Sequence, residues 1–271
     1  MTEMRMRRWA NEVRVESWAQ LCDEMYRGSW KQELRRYRSD YAYRGLSDRA
    51  YDLVNSFSRN CGKRKELEYH ILRNFRKYAR PSAPGLTKTA WRLLVLAQHH
   101  GLPTRLLDWT YSPFIALHFA TSNTMKYDTD GVVWKVDFVK VNHMAPARLK
   151  ELLLSEKCNA FTVEMLEESI PDLHGFDQIG SKTFPVFFEP PSIDERIVNQ
   201  YAFFSVMSDP LSDLGHWLRA HPEFFRRVII PAKLKWEIRD KLDQANITER
   251  VLFPGLDGLA AWLARQYQPI A

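Results

Sequence analysis

The sequence predicts an α+β domain built on a mixed or antiparallel sheet with helices around it. Three observations carry this. Strand-like and helix-like segments alternate without a regular βαβ rhythm. Neither a G-x-G-x-x-G fingerprint nor a P-loop is present, which argues against a doubly wound fold. No Gly/Ser/Pro-rich or charged linker divides the 271 residues, so a single domain is expected over 1–271.

The elements follow from local chemistry. Ser17 can cap a helix that places Trp18, Leu21, Cys22 and Met25 on one face. Tyr41-Ala42-Tyr43-Arg44 reads as a strand, with both tyrosines on one face and Arg44 on the other. Residues 65–79 carry Leu67, Ile71, Phe75 and Tyr78 as an apolar helical stripe, broken by Pro81, Pro84 and Gly85. Residues 89–100 form a second helix, ended by Gly101 and Pro103. Residues 106–109 are extended, and Ser112-Pro113 opens a helix running to Thr121. Val132, Trp134, Val136 and Phe138 alternate as a strand. Residues 146–170 are helical, with a break at 157–159. Strands are expected at 184–188, 202–207, 227–230 and 251–253, and helices at 213–219, 234–244 and 256–266.

Hydrophobic residues make up 45% of the chain and aromatics 13%, enough for a substantial core and unlike a disordered composition. The formal charge of +6 suits a polyanionic partner such as nucleic acid or a dinucleotide phosphate, but a basic surface without a specific partner is the simpler reading. Cys22, Cys61 and Cys158 form no C-x-x-C pair, which points to free thiols in a reducing compartment and against structural zinc. Arg5, Arg7 and Arg8 are followed by Glu12 and Glu16 rather than an apolar run, so no secretory signal is read and a cytoplasmic location is expected. No apolar run reaches the ~20 residues of a membrane span.

Four groups of residues resemble the FRG domain family. Tyr43-Arg44-Gly45 is followed by Leu46-Ser47-Asp48 and Ser56-Phe57-Ser58-Arg59. The long motif is Leu96-Ala97-Gln98-His99-His100-Gly101-Leu102-Pro103-Thr104-Arg105-Leu106-Leu107-Asp108-Trp109-Thr110, running into Ser112-Pro113-Phe114-Ile115-Ala116-Leu117-His118-Phe119-Ala120. Arg196-Ile197-Val198-Asn199-Gln200 comes next, then Ile229-Ile230-Pro231 and the segment 252–259. The resemblance extends over about 29–263, preceded by an N-terminal helical extension at 1–28. One departure is Ala202, where the family usually has Gly two residues after the Gln. The resemblance implies a bacterial or phage protein associated with toxin or phage-defence genes.

A second resemblance is to ADP-ribosyltransferases, which set an Arg or His on an early strand, a Ser or Thr on a second and an acid on a third. It implies NAD as substrate, with Arg44, Asp108 and Gln200 as catalytic candidates. It assigns Tyr43, Gly45, Gln98, His100, Thr110, Tyr111 and Ser112 to holding the dinucleotide. Arg44 would grip phosphate or ribose through its planar fork. Thr110 and Ser112 would hold ribose, and Tyr43, Tyr111 or Trp109 would stack on nicotinamide. Gln200 stands at the acid's position, and an amide is no base, so the carboxylate falls to Asp108, with Glu195 next. A macromolecular acceptor (protein or nucleic acid) and a cognate inhibitor or defence partner are implied, and no membrane.

Each residue also has a plain structural role to weigh. Arg44 and Asp108 can form a structural salt bridge, Ser112 can be only an N-cap, and His118 shares a face with Phe114 as a core histidine. His99 and His100 complement a helix C-terminus, and Gln200 can satisfy backbone in a bend. Adjacent histidines diverge by about 100° on a helix, which disfavours a His-based metal site. No G-x-S-x-G elbow supports a serine hydrolase. The rival function is a non-catalytic module that binds a nucleotide or a protein. An open cleft around Arg44 would favour catalysis, and a filled one the module.

Overall fold

A computed structural model describes Trp9, residues 11–79, Gly85 and residues 88–268. Its strands are β1 (Glu12–Arg14), β2 (Trp30–Lys31), β3 (Arg36–Tyr37), β4 (Tyr41–Leu46), β5 (Leu106–Thr110), β6 (Gly131–Asp137), β7 (Phe161–Thr162), β8 (Pro185–Glu189), β9 (Ala202–Met207) and β10 (Phe225–Ile230). The helices in the first half are α1 (Trp18–Tyr26), α2 (Ser56–Cys61), α3 (Glu66–Ala79), α4 (Ala90–His99), α5 (Pro113–Thr121) and α6 (Phe138–Asn142). Those in the second half are α7 (Ala147–Ser155), α8 (Val163–Ser169), α9 (Leu173–Gln178), α10 (Glu195–Asn199), α11 (Leu214–Arg219), α12 (Lys235–Gln244), α13 (Glu249–Leu252) and α14 (Leu256–Gln266).

Eight strands join in one mixed sheet in the order β1-β10-β6-β4-β5-β9-β8-β7. The edge pairs β1/β10 and β7/β8 are parallel, and the pairs between them are antiparallel. Both the α+β class and the mixed sheet are therefore as the sequence predicts. The central strand β6 is buried along its whole length. Val132, Trp134 and Val136 pack with Trp109, Phe187 and Phe203, while Val133 faces α1, α5 and α12 on the other side. Helices α4, α7, α8 and α9 enclose a further core over β8 and β9. Among the described residues no helix is long and apolar enough to cross a membrane.

The caps at Ser17 and Ser112 sit where the sequence places them, and Thr89, expected as the first residue of its helix, is a cap as well. Ser17, Thr89 and Ser112 each accept a backbone N–H at the start of α1, α4 and α5, and Pro113 holds the first position of α5. Helix α3 ends at Ala79; the expected break at Pro81 and Pro84 lies outside the described residues, as does the start of the N-terminal extension, 1–8. The stretch 146–170 is two helices separated at Lys157, whose φ is +52°, and by β7. The expected strand at 251–253 is instead the helix α13. Thr248 accepts from the Val251 N–H, and the Phe253 N–H closes onto the Glu249 carbonyl. A three-residue apolar run has no period of its own, and the cap at Thr248 decides it.

Buried charge pins the helices to the sheet. Arg105 is 2% exposed and forms paired bonds to Glu68 of α3 and to Asp177 of α9. The Lys135 ammonium, buried in β6, donates to the carbonyls of Glu24, Met25 and Arg27 at the C-terminal end of α1, and burial pushes its pKa down to about 8.

His118 is fully buried, as its place on the apolar face of α5 predicts, and its Nδ1 lies 2.8 Å from Arg239 Nη1. Arg239 is a donor only, so Nδ1 accepts and the ring is neutral. Burial, then the charge of Arg239, push the His118 pKa down to about 3. The unfolded chain binds this proton below its pKa of about 6.5 and the folded chain does not. Stability is therefore lost as pH falls through the window from about 6.5 towards 3, by ~2 kcal/mol at pH 5. His99, whose pKa burial also lowers, adds to the loss as pH falls below about 6.5. His118→Gln is expected to flatten, without abolishing, the fall in melting temperature between pH 6.5 and 5. A parallel fall in both proteins would show that His118 is not the group that titrates.

Candidate functional site

Several of the candidate residues converge where two central strands part. Strand β4 pairs with β6 over six positions and β5 with β9 over five, but β4 and β5 share only the pair Tyr43↔Thr110. Beyond that pair the strands separate and a cleft of about 470 Å³ opens. Its wall includes Arg44, Gly45, Gln98, Asp108, Thr110 and Gln200, with His99 and Arg196 at one side.

Arg44 bridges the gap. Its Nη1 donates to the backbone carbonyl of Asp108, and the Asp108 carboxylate stands 3.7 Å away. Asp108 is 60% exposed, so this is a loose pair at a wet rim rather than a buried salt bridge. Arg44 Nε is buried and has no hydrogen-bond partner. Burial pushes the Arg44 pKa down; Asp108 opposes this and Arg59 adds to it.

The long motif wires itself together behind Arg44. Gln98 Nε2 donates to both Asp108 carboxylate oxygens, at 2.9 and 2.8 Å. Its Oε1 accepts from the Thr104 hydroxyl, which in turn accepts from the Leu106 N–H. Ser56 of α2 completes the chain, accepting from the Thr104 N–H at 3.0 Å. Gln98 thus holds Asp108, and Asp108 faces Arg44. Alternation along β5 sets Asp108 and Thr110 on one face and Leu107 and Trp109 on the other, where they pack into the core, although Trp109 also borders the cleft.

The remaining sequence candidates lie as follows. Tyr43 is 1% exposed and its hydroxyl donates to the Met25 carbonyl, so its ring belongs to the core and offers no stacking face. Gly45 touches the cleft, but a Cβ there would lie 1.8 Å from the Ala116 carbonyl oxygen of α5. Thr110 accepts from the Ser112 N–H, and Ser112 caps α5, so both hydroxyls shape the turn into that helix. Ser112, His100 and Tyr111 stand outside the cleft wall. His100 is exposed at the end of α4. Tyr111 stacks on Phe203, bonds Glu189, and opens onto a separate cavity beside Cys158 and Tyr201. Gln200 lines the cleft and donates through Nε2 to the Leu252 carbonyl. The next residue, Tyr201, takes φ +48°, and Ala202 already lies in β9; the turn is thus made one residue before the departure noted in the sequence. Glu195 is exposed at the start of α10 and is not part of the wall.

One pair was not foreseen. His99 Nε2 lies 2.5 Å from the Asp194 carboxylate, and Arg196 Nη1 reaches the His99 carbonyl. Burial lowers the His99 pKa, while Asp194 acts against that shift. An imidazole oriented by a carboxylate at a cleft wall can move a proton. Its sequence signals were His99 at a helix end and Asp194 as an N-cap, which are nearly a hundred residues apart. Among the described residues no group of three His, Cys, Asp or Glu is placed to hold a metal ion.

The fold and the cleft together define an α+β protein that presents the loosely paired Arg44 to an open gap between strands. Residues 39–129, about a third of the chain, match the FRG domain, a stretch that runs from the approach to β4 to just before β6. The match contains Arg44, Gln98, His99 and Asp108, whereas Asp194, Arg196 and Gln200 come from beyond it. No protein of curated function and no solved structure matches the chain.

Proposed function

We propose that the cleft binds NAD as a substrate. The protein is then an ADP-ribosyltransferase-like enzyme of a bacterial or phage toxin or defence system, acting in the cytoplasm. It transfers ADP-ribose to a macromolecule or hydrolyses NAD. The observation that carries the reading is Arg44: a guanidinium with a buried, unpartnered Nε, facing an open cleft, is suited to an anionic ligand such as a dinucleotide phosphate. The volume of about 470 Å³ is in the range of ligand-binding cavities. Asp108 and the His99–Asp194 pair supply the carboxylate and the base.

A second reading has its own support. Gln200 occupies the place of the acid and its amide is tied to the Leu252 carbonyl, as suits a module that binds a nucleotide without turning it over. Incubation with NAD labelled in the adenylate half, with and without cell lysate, separates the readings. Nicotinamide release is expected, with label on a macromolecule for a transferase and free ADP-ribose for a hydrolase. ADP-ribose binding by calorimetry without nicotinamide release would favour the module. Absence of both binding and turnover would sink both readings.

A further inference from the structure

The ribbon of β2 and β3 is a separate two-stranded sheet, paired Trp30↔Tyr37 and Lys31↔Arg36. Every residue from 32 to 39 is exposed. Trp30, Tyr37 and Tyr26 are 47%, 58% and 43% exposed, and they form one aromatic strip, with ring centroids 5.2 Å apart for Trp30–Tyr37 and 6.0 Å for Tyr26–Tyr37. Large rings clustered in the open mark an interaction surface.

Charge says what kind of surface. The segment 26–38 carries Arg27, Lys31, Arg35, Arg36 and Arg38 against the single acid Glu33. Arg27 is held by Glu24 and Lys31 by Asp40. Arg35, Arg36 and Arg38 form no ion pair among the described residues. Arg35 sits at φ +49° in the turn, where Arg35 N–H reaches the Gln32 carbonyl. That backbone conformation suits Gly or Asn, so an arginine there is held against its own preference.

We propose that this ribbon binds single-stranded nucleic acid. The cross-strand register sends Trp30 and Tyr37 to one face and Lys31 and Arg36 to the other. A single strand offers both chemistries, flat bases for the rings and phosphates for the arginines of the turn and strand end. Bases stack on aromatic rings with little regard to sequence, and arginines follow the phosphates. An acidic protein would use the charge and leave the ring strip unexplained. The inference needs no NAD and stands or falls apart from the Arg44 cleft.

The test is fluorescence anisotropy of labelled oligouridine and oligothymidine of about twenty nucleotides, a length that exceeds the ~4–16 nucleotides such sites cover. The full chain is titrated across a salt series without NAD. Both oligonucleotides, or one of them, should bind; a preference for oligouridine would assign RNA through its 2′-hydroxyls. Arg35→Glu/Arg38→Glu leaves the ring pairs in place. It should weaken binding at least tenfold and reduce the slope of log K against log salt by about 1 to 2. Trp30→Ala should weaken binding about fivefold or more and leave that slope unchanged. If Trp30→Ala also lowers the melting temperature, the arginine variant carries the decision. The proposal is overturned if neither oligonucleotide binds, or if binding survives both variants unchanged. It is likewise overturned if phosphatidylserine vesicles bind through these residues and oligonucleotides do not.

Discussion

Gly45→Ala is expected to unfold the domain or to lower its melting temperature by more than about 10 °C, the equivalent of roughly 4 kcal/mol in a chain of this size. A Cβ at this position would lie 1.8 Å from the Ala116 carbonyl oxygen, 2.8 Å from its carbon and 2.7 Å from the Ala120 nitrogen. All three are backbone atoms of α5, so no rotamer change relieves the clash. The helix cannot retreat easily, because Ala116, Leu117 and Ala120 are fully buried among Tyr43, Val133 and Ile238. Packed interiors do not absorb a displacement of more than an ångström. Circular dichroism melts and soluble yield measure the effect. The rival role, in which Gly45 only lets a ligand approach, predicts an intact fold with lost ADP-ribose binding. A variant melting within about 2 °C of the parent would overturn the packing role, and loss of ADP-ribose binding in that variant would establish the rival.

How far the sequence foretold this arrangement varies with the physics involved. Helix α5 was legible from Ser112 and Pro113, α4 from the Gly101 and Pro103 that end it, and β4 from its alternation, while β5 does not alternate and read only as a short strand or extended piece. Gathering Arg44, Thr110 and Gln200 was also legible, since the motif order sets them on adjacent strands and a strand end. The cleft itself was not, because it arises from β4 and β5 pairing at one position only, and pairing extent is not written in either strand alone. The same limit divides the two motif arginines. Arg44 faces the cleft, while Arg105 is consumed by Glu68 and Asp177, carboxylates 37 and 72 residues away in sequence. Strands β1, β2, β3 and β7 have two or three residues each, too few for a period. Tyr43 looked like a stacking ring because alternation separates faces without saying which face a helix covers; α1 covers that of Tyr43.

Arg44→Ala is expected to weaken ADP-ribose binding about 100-fold and to abolish turnover, while lowering the melting temperature by less than about 5 °C. The large effect follows from removing a charge-assisted phosphate contact inside a partly desolvated cleft, a loss of ~2–5 kcal/mol in comparable pairs. The small one follows from the geometry: the guanidinium holds the Asp108 carbonyl where the strands part, a bond that water can replace at the rim for ~1 kcal/mol. A fall of more than about 10 °C would make Arg44 a structural strut and remove the main support for an anion site. Asp108→Asn then separates chemistry from binding. The Arg44 bond to the Asp108 backbone carbonyl survives in the amide, and Gln98 keeps one of its two bonds through the Asn oxygen, so most of the frame stays while the charge is lost. If the carboxylate stabilises a developing ribosyl cation or accepts a proton, turnover falls about 100-fold with ADP-ribose affinity within a few-fold of the parent. If Asp108 only orients Arg44, affinity falls with turnover. Unchanged turnover in a folded Asn variant would exclude Asp108. Exposed Glu195 lies off the wall, so proton transfer would then rest on His99 alone, with Asp194, 2.5 Å from its Nε2, as the residue that orients it.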